Sequence, residues 1–409
     1  MLRGNVMAIR IDSSRYSKKN YWYWVFALMP FLIPDIFLRF PALQMTVELW
    51  TYISFLILLI NIVNRKGIYL NSPRIVLLLF YLSLFVSTVI NHGAITDCIV
   101  HIVKVLILCF TIEDISDDDE LTIMLYTIRD IVVFFFLINI GLSVVYPHGI
   151  PSFTTSVNLP ALLYGNVNVT ARSIFPGIAA SAIIDGKKNR ISLSTIILII
   201  GFVFLCVRVY MMATGLISLA VVSIWIIFRK IFIKRSFRIL IYSIVAIAFV
   251  EFTVVVFYSN QGLISFVTGL FGKDLKFTNR YYLWYAAVKR ISESLIYGHG
   301  ALTQSAMREL IGNPSGSHNY YLDVTLRQGF VGLAAFLFLI IHSIKKLSQV
   351  SKSINTEMYM MIGFIISLLL MFLGEPIYEK EHLIIPVFYM FLVMTSRYSA
   401  NTNNSIRND

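Results

Sequence analysis

Twelve apolar runs punctuate this chain, at residues 21–38, 45–62, 75–90, 98–110, 121–146, 171–185, 191–208, 210–228, 239–257, 330–342, 358–373 and 383–395. A helix needs about 20 mostly apolar residues to cross a bilayer, somewhat fewer where flanking side chains snorkel. The pattern therefore predicts an all-α polytopic membrane protein of about twelve transmembrane helices. Runs 98–110 and 171–185 are short and carry a charge each, Lys104 and Arg172. The connections are mostly short, with one exception: about seventy residues, from Tyr258 to Gly329, separate the ninth run from the tenth. Connections of that length are usually functional or disordered. This one is not low-complexity. TNRYYLWYAAVKRISESLIYG, at 278–298, has apolar and aromatic residues at helical spacing with Thr278 or Asn279 as N-cap. Four parts follow: nine transmembrane helices in 1–257, a large loop containing helices in 258–329, three more transmembrane helices in 330–395, and a tail in 396–409.

Charge orients the pattern. Short cytoplasmic loops are enriched in Lys and Arg. With the N-terminus inside, the cytoplasmic segments hold Arg3, Arg10, Arg15, Lys18, Lys19, Arg65, Lys66, Arg74, Lys187, Lys188, Arg190, Arg229, Lys230, Lys234, Arg235, Arg238, Lys345, Lys346, Lys352, Arg397 and Arg407, which is 21 of the 34 basic residues. Both ends of the chain are then cytoplasmic and 258–329 faces outward. The acidic TIEDISDDDE at 111–120 weighs little in this rule. The net charge of +12 is thus mainly an orientation signal and requires no nucleic acid. Composition agrees: 57% hydrophobic residues and a mean hydropathy of +0.76 exclude an ordinary soluble domain. Cys98, Cys109 and Cys206 lie in or beside apolar runs without metal-like spacing and read as packing residues. The basic N-terminus precedes a long apolar run without an A-x-A cleavage pattern, so that run reads as a retained first span.

The candidate chemistry collects on the outward side. Arg280 opens the helical stretch of the loop, with Trp284 one turn later; YGHG at 297–300 permits close backbone approach. NPSGSHN at 313–319 delivers His318 to the first turn of the next helix with Ser317 as N-cap, and a helix N-terminus keeps an imidazole neutral and able to accept a proton. Guanidinium groups bind phosphate oxygens in pairs. Arg172, after YGNVNVTA, and Arg208, before YMMATG, end their runs on this side, and Glu375 lies in the outward LGEPIYEKEH. Competing structural roles exist. Asp323 and Arg327 are four apart and can pair on a helix surface. Tyr281, Tyr282, Trp284, Tyr320 and Tyr321 can be interfacial belt residues rather than sugar platforms. Arg129 and Asp130 can form a buried pair.

GHG at 298–300 followed by SHNYYLDVTLRQGFVGL at 317–333 resembles the O-antigen polymerase and O-antigen ligase superfamily, in which a Gly-x-Gly turn precedes a His-Asn, aromatic and Gly-apolar-apolar-Gly run into a membrane helix. TNRYYLWYAAVKRI looks like its Arg-xxx-Trp segment and GNVNVTA like its Gly-Asn-x-Asn segment. Where members carry a Ser-Arg-x-x-Leu-like sequence, this chain has MMATGLIS, and Arg208, a few residues earlier, is the nearest arginine.

The resemblance implies glycosyl transfer on the periplasmic face of the bacterial inner membrane, from undecaprenyl-diphosphate-linked oligosaccharides. No metal or other cofactor is called for. It implies His318 as base or acceptor-orienting group, with Glu375 as its partner or an alternative base, and Arg280, then Arg172, Arg208 and Arg327, as diphosphate ligands. The expected partners are these lipid-linked glycans, membrane lipid and a chain-length regulator protein. Polymerase is favoured over ligase by the compact SHNYYLDVTLRQG pattern. A flippase for the same lipid is the alternative of another class; it should show repeated halves and mid-membrane polar sites, and the long outward loop argues against it.

Overall fold

A computed structural model of the chain describes residues 18–65, 71–115, 117–151, 160–209, 212–259, 280–351 and 354–408. The basic residues Arg3, Arg10, Arg15, Lys66 and Lys352 and the N-cap expected at Thr278 or Asn279 lie outside the described residues. Among the described residues the chain is all-helical: α1 (Lys18–Leu32), α2 (Pro41–Arg65), α3 (Ser72–Ile90), α4 (Ile95–Asp114), α5 (Asp118–Val145), α6 (Val167–Lys188), α7 (Leu193–Arg208), α8 (Ala213–Ile227), the single turn α9 (Arg229–Phe232), α10 (Ser236–Ser259), α11 (Arg280–Glu293), α12 (Gln304–Ile311), α13 (Tyr320–Gln349), α14 (Thr356–Phe372) and α15 (Glu381–Asn408). Each of the twelve apolar runs falls on a helix, with one correction. Run 21–38 is not continuous: α1 stops at Leu32 and, past Pro34, the chain makes a separate 3₁₀ turn, Asp35–Arg39, because proline supplies no N–H to carry a helix onward.

Six helical segments are long and apolar enough to cross a membrane: Pro41–Arg65, Ser72–Ile90, Ile95–Asp114, Asp118–Val145, Arg229–Thr253 and Tyr320–Gln349. Leu193–Arg208, Ala213–Ile227 and Thr356–Phe372 are apolar but shorter. The chain is a multi-pass membrane protein. At its centre α14 is apolar on all sides and buried along nearly its whole length from Met358, as expected of a helix with no polar face. It packs on α6, α8, α10 and α15, while α3 lies along α13 and α5 along α6. The outer faces of α2 and α10 remain apolar and exposed, with Tyr52, Leu56, Tyr242 and Phe249 each above 55%. Cys98, Cys109 and Cys206 are buried and unbridged. Arg129 hydrogen-bonds the adjacent Asp130 at 2.6 and 2.8 Å, a local pair that is partly exposed rather than buried.

The motif glycines build one device. At Gly329 (φ 64°, ψ −166°) α13 breaks its helical path. In an unbroken helix, Phe330 and Val331 would donate to the carbonyls of Leu326 and Arg327. Instead those carbonyls accept from His299 N and Gly300 N, both at 2.8 Å, and Phe330 N and Val331 N donate to Leu295 O and Ile296 O at 2.8 and 3.4 Å. The GHG segment thus replaces the hydrogen bonds that the kink removes, which non-helical backbone inside a membrane protein requires. The approach is close: a Cβ at Gly298 would lie 2.6 Å from Arg327 C, and one at Gly329 only 2.1 Å from Ile296 O. Gly329→Ala combines that collision with a left-handed backbone costing on the order of 1–3 kcal/mol. Its membrane abundance should fall several-fold, whereas Gly141→Ala, whose Cβ meets nothing within 4 Å, should be neutral. Quantitative immunoblotting of membranes measures both.

Candidate functional site

The segment between α11 and the kink has a small apolar core of its own. Ala287 and Ile291 of α11, Met307 and Ile311 of α12, and Leu322 and Leu326 of α13 are buried together, with Trp284 packed against them. This core fixes the turn that ends at His318. Thr303 caps α12 through its side chain and Gly312 ends it; Asn313 then donates to Gly316 O at 2.9 Å. The N-cap of α13 is Asn319, not Ser317: its side chain accepts from Leu322 N at 3.1 Å. Ser317 serves the turn, donating its amide to Asp323 Oδ1 at 2.7 Å and its hydroxyl to Asn319 O at 2.9 Å. His318 therefore lies just before the cap and outside the first turn, with a left-handed backbone at φ 59°. Such a residue costs on the order of 1 kcal/mol and persists where its neighbours over-determine it. Here Ser317 and Asn319 do so.

The His318 ring is half-buried, and its Nδ1 has no hydrogen-bond partner. Burial first, then the positive charges of Arg280 and Arg172, push its pKa down to about 3. The ring is neutral, as the sequence predicts, for a different reason: these groups, rather than the helix end alone, disfavour the imidazolium. Arg280 reaches Glu375 Oε1 with Nη2 and Thr214 Oγ1 with Nη1, both at a loose 3.4 Å. Arg172, 3% exposed, donates to the carbonyls of Asn168 and Pro376. Glu375 is fully buried with Oε2 unpartnered. Burial raises its pKa, and the two guanidinium groups oppose that rise. Residues from α6, α8, α11, the turn before α13 and the α14–α15 connection thus form one polar site.

Arg327 meets that connection further along, at Tyr378. It is buried, its guanidinium carbon lies 3.7 Å over the Tyr378 ring, and its Nε and Nη1 have no hydrogen-bond partner. Tyr378 also stacks on His101, at 4.4 Å between centroids. His101 meets Glu381 Oε2 at 2.8 Å, and Glu381 accepts from the hydroxyls of Tyr81 and Tyr320 at 3.0 and 2.9 Å. Asp323 and Arg327 are both buried, so they are no surface pair. Tyr320 and Tyr321 are not belt residues either, being buried with hydroxyls given to Glu381 and Leu369 O. Arg208 is exposed at the end of α7, and no contact among the described residues joins it to the site.

Sequence reasoning missed three members. Thr214, in the MMATGLIS stretch, hydrogen-bonds both Arg280 and Glu375. Asn319, fully buried, donates to Glu251 Oε2 at 2.7 Å. Glu251 was detectable as the one carboxylate in run 239–257, since an ionisable residue at membrane depth marks a functional site by default. Among the described residues, no three His, Cys, Asp or Glu side chains form a group that could hold a metal ion.

Residues 179–337 match the family model described as O-antigen ligase. The match covers less than half of the chain. It takes in Thr214, Arg280, His318 and Arg327 and leaves out Arg172 and Glu375. It bears out the resemblance to the O-antigen polymerase and ligase superfamily. No curated protein matches the chain.

Proposed function

We propose that the protein is an O-antigen polymerase, joining undecaprenyl-diphosphate-linked oligosaccharide repeat units on the periplasmic face of the bacterial inner membrane. The observation that carries this reading is the meeting of an unpartnered neutral imidazole, His318, with two guanidinium groups, Arg172 and Arg280, beside a buried carboxylate. An acceptor sugar hydroxyl attacks C1 of the donor sugar. The C1–O bond to phosphate breaks, its electron pair leaves on the lipid diphosphate, and the hydroxyl proton passes to the His318 ring. Arg280 and Arg172 hold the leaving diphosphate, where positive charge matters most as negative charge develops. Glu375 holds Arg280 in place before substrate arrives. The unused donors of Arg327 serve the same substrate from further along the 375–378 connection. Residues 258–329 face the periplasm and both ends of the chain face the cytoplasm. Single cysteines at Asn313 and Lys234 should therefore react with an impermeant thiol reagent from opposite sides; labelling of both from one side would end this topology.

A pKa near 3 makes a weak base in the free protein. A bound diphosphate offsets the two guanidinium charges, which lower it after burial, and so moves it upward in the complex. kcat/KM, which reports the free enzyme, should show no loss from His318 as pH falls through 6.5 toward 4, because the ring stays unprotonated down to about 3. The acid limb of kcat should lie at higher pH than that. A kcat/KM that halves near pH 6.5 through this residue would contradict the buried, arginine-flanked ring.

The ligase reading is favoured by one observation, the match of residues 179–337 to the family model described as O-antigen ligase. The surface glycan of a deletion strain separates the readings. A single repeat unit on lipid A core is expected here; bare core with long lipid-linked chains would mean ligase, and single lipid-linked repeats held in the cytoplasm would mean flippase.

A further inference from the structure

At the far end of α14 from Glu375, a cavity of about 500 Å³ is lined by Arg190, Arg229 and Lys230 together with Asn189, Ile191, Phe228, Ile231 and Met360. From Met360 to Phe372, α14 rises roughly 18 Å at about 1.5 Å per residue, which separates the cavity from the Glu375 end, and in the topology proposed above the cavity lies toward the cytoplasm. Its floor is fixed. Trp225 Nε1 donates to Tyr359 O at 2.7 Å, Tyr359 Oη donates back to Trp225 O at 2.6 Å, and the two rings stack. The α8–α9 turn is thereby locked to α14.

The enrichment of basic residues at this end has a general explanation in membrane orientation, and cations also complement the C-termini of α6 and α8. Neither accounts for the gathering of these three around one hollow. Of the same cytoplasmic-facing set, Arg65 pairs with Glu120, Arg74 with Glu113 and Asp114, and Lys187 with Asp118 and Glu357, while Lys234, Arg235 and Arg238 form no ion pair among the described residues and lie outside the cavity. Lys188 lies over the Tyr126 ring. Among the described residues, Arg190, Arg229 and Lys230 have no carboxylate within ion-pair distance, and none lines their cavity. Beside them Ile191, Ile227 and Ile231 are 51, 71 and 60% exposed. An apolar rim next to a cationic hollow fits an anion that brings hydrocarbon with it.

We propose that this cavity binds the phosphodiester headgroup of an anionic phospholipid, with the acyl chains along Ile191, Ile227 and Ile231. Juxtamembrane basic residues attract such lipids, and basic pockets between helices at that face take their headgroups.

The test is native mass spectrometry of the full chain in detergent, titrated with phosphatidylglycerol or phosphatidylcholine. The wild type should retain phosphatidylglycerol at least about tenfold better. R190Q/R229Q/K230Q should lose that preference, and R190Q alone should weaken it. K234Q/R235Q/R238Q removes the same charge from residues outside the cavity and should keep the preference. Size-exclusion profiles establish that each variant is folded. Equal retention of the two lipids by the wild type, or equal loss in the two triple variants, would overturn the proposal. So would displacement of phosphatidylglycerol by millimolar inorganic phosphate, which would make the site one for a free anion.

Discussion

His318→Ala should yield a protein of normal membrane abundance that makes little or no polymer, a loss of about 10²- to 10⁴-fold, the usual cost of removing a general base. The reasons are local. The ring reaches the site through a left-handed residue held on both sides by hydrogen bonds of Ser317 and Asn319, so truncating it leaves the turn in place. Its Nδ1 has no partner in the protein, so no internal bond is lost with it. The comparison is His342→Ala, on the far part of α13, where the ring meets Ser72 Oγ at 3.3 Å and the Phe338 ring at 6.3 Å between centroids; that variant should make normal polymer. Surface-glycan length and membrane abundance are measured together. Normal polymer from His318→Ala would remove it from the chemistry and leave Glu375 as the next candidate.

Arg280→Ala should lower transfer by about 10²- to 10³-fold, the scale of losing one preorganised electrostatic partner of a developing charge, and Arg280→Lys should restore only part of it. A lysine ammonium is a point charge and cannot present the paired donors that a diphosphate accepts. Arg280 also lies 3.4 Å from the buried Glu375, and removing one member of such a pair is damaging in itself. The two causes separate in the double variant Arg280→Ala/Glu375→Gln. If Arg280 holds the diphosphate, the double variant stays inactive. Recovery of polymer in it would mean that Arg280 serves only to neutralise Glu375.

The membrane helices were legible as apolar runs, some of them too short to span by length alone, and Arg280–Glu293 by its helical spacing of aromatic and apolar residues; proline at 34 explains the run that splits. His318, Arg280, Arg172 and Glu375 could be named because charge is scarce in this chain and because the first three fall in or beside the segments that carry the family resemblance. Their meeting could not be read, since it depends on how α6, α8 and α11 lean on the α14–α15 connection. Arg208 shows the limit: its position in sequence resembles that of Arg172, yet it ends exposed on α7 while Arg172 is buried. Thr214 was hidden because a threonine in an apolar run is unremarkable until Arg280 and Glu375 are seen on either side of it. The Gly-x-Gly turn was recognisable as a place of close backbone approach, but that it fills the break at Gly329 required the hydrogen bonds of residues 295–300.

The central claim is tested most directly with the purified full chain in lipid vesicles, supplied with one undecaprenyl-diphosphate-linked repeat unit and no lipid A core. A ladder of lipid-linked products, each longer by one repeat and matched by released undecaprenyl diphosphate, is the predicted result, absent with His318→Ala. No elongation until lipid A core is added, followed by transfer of the glycan to that core, would contradict it.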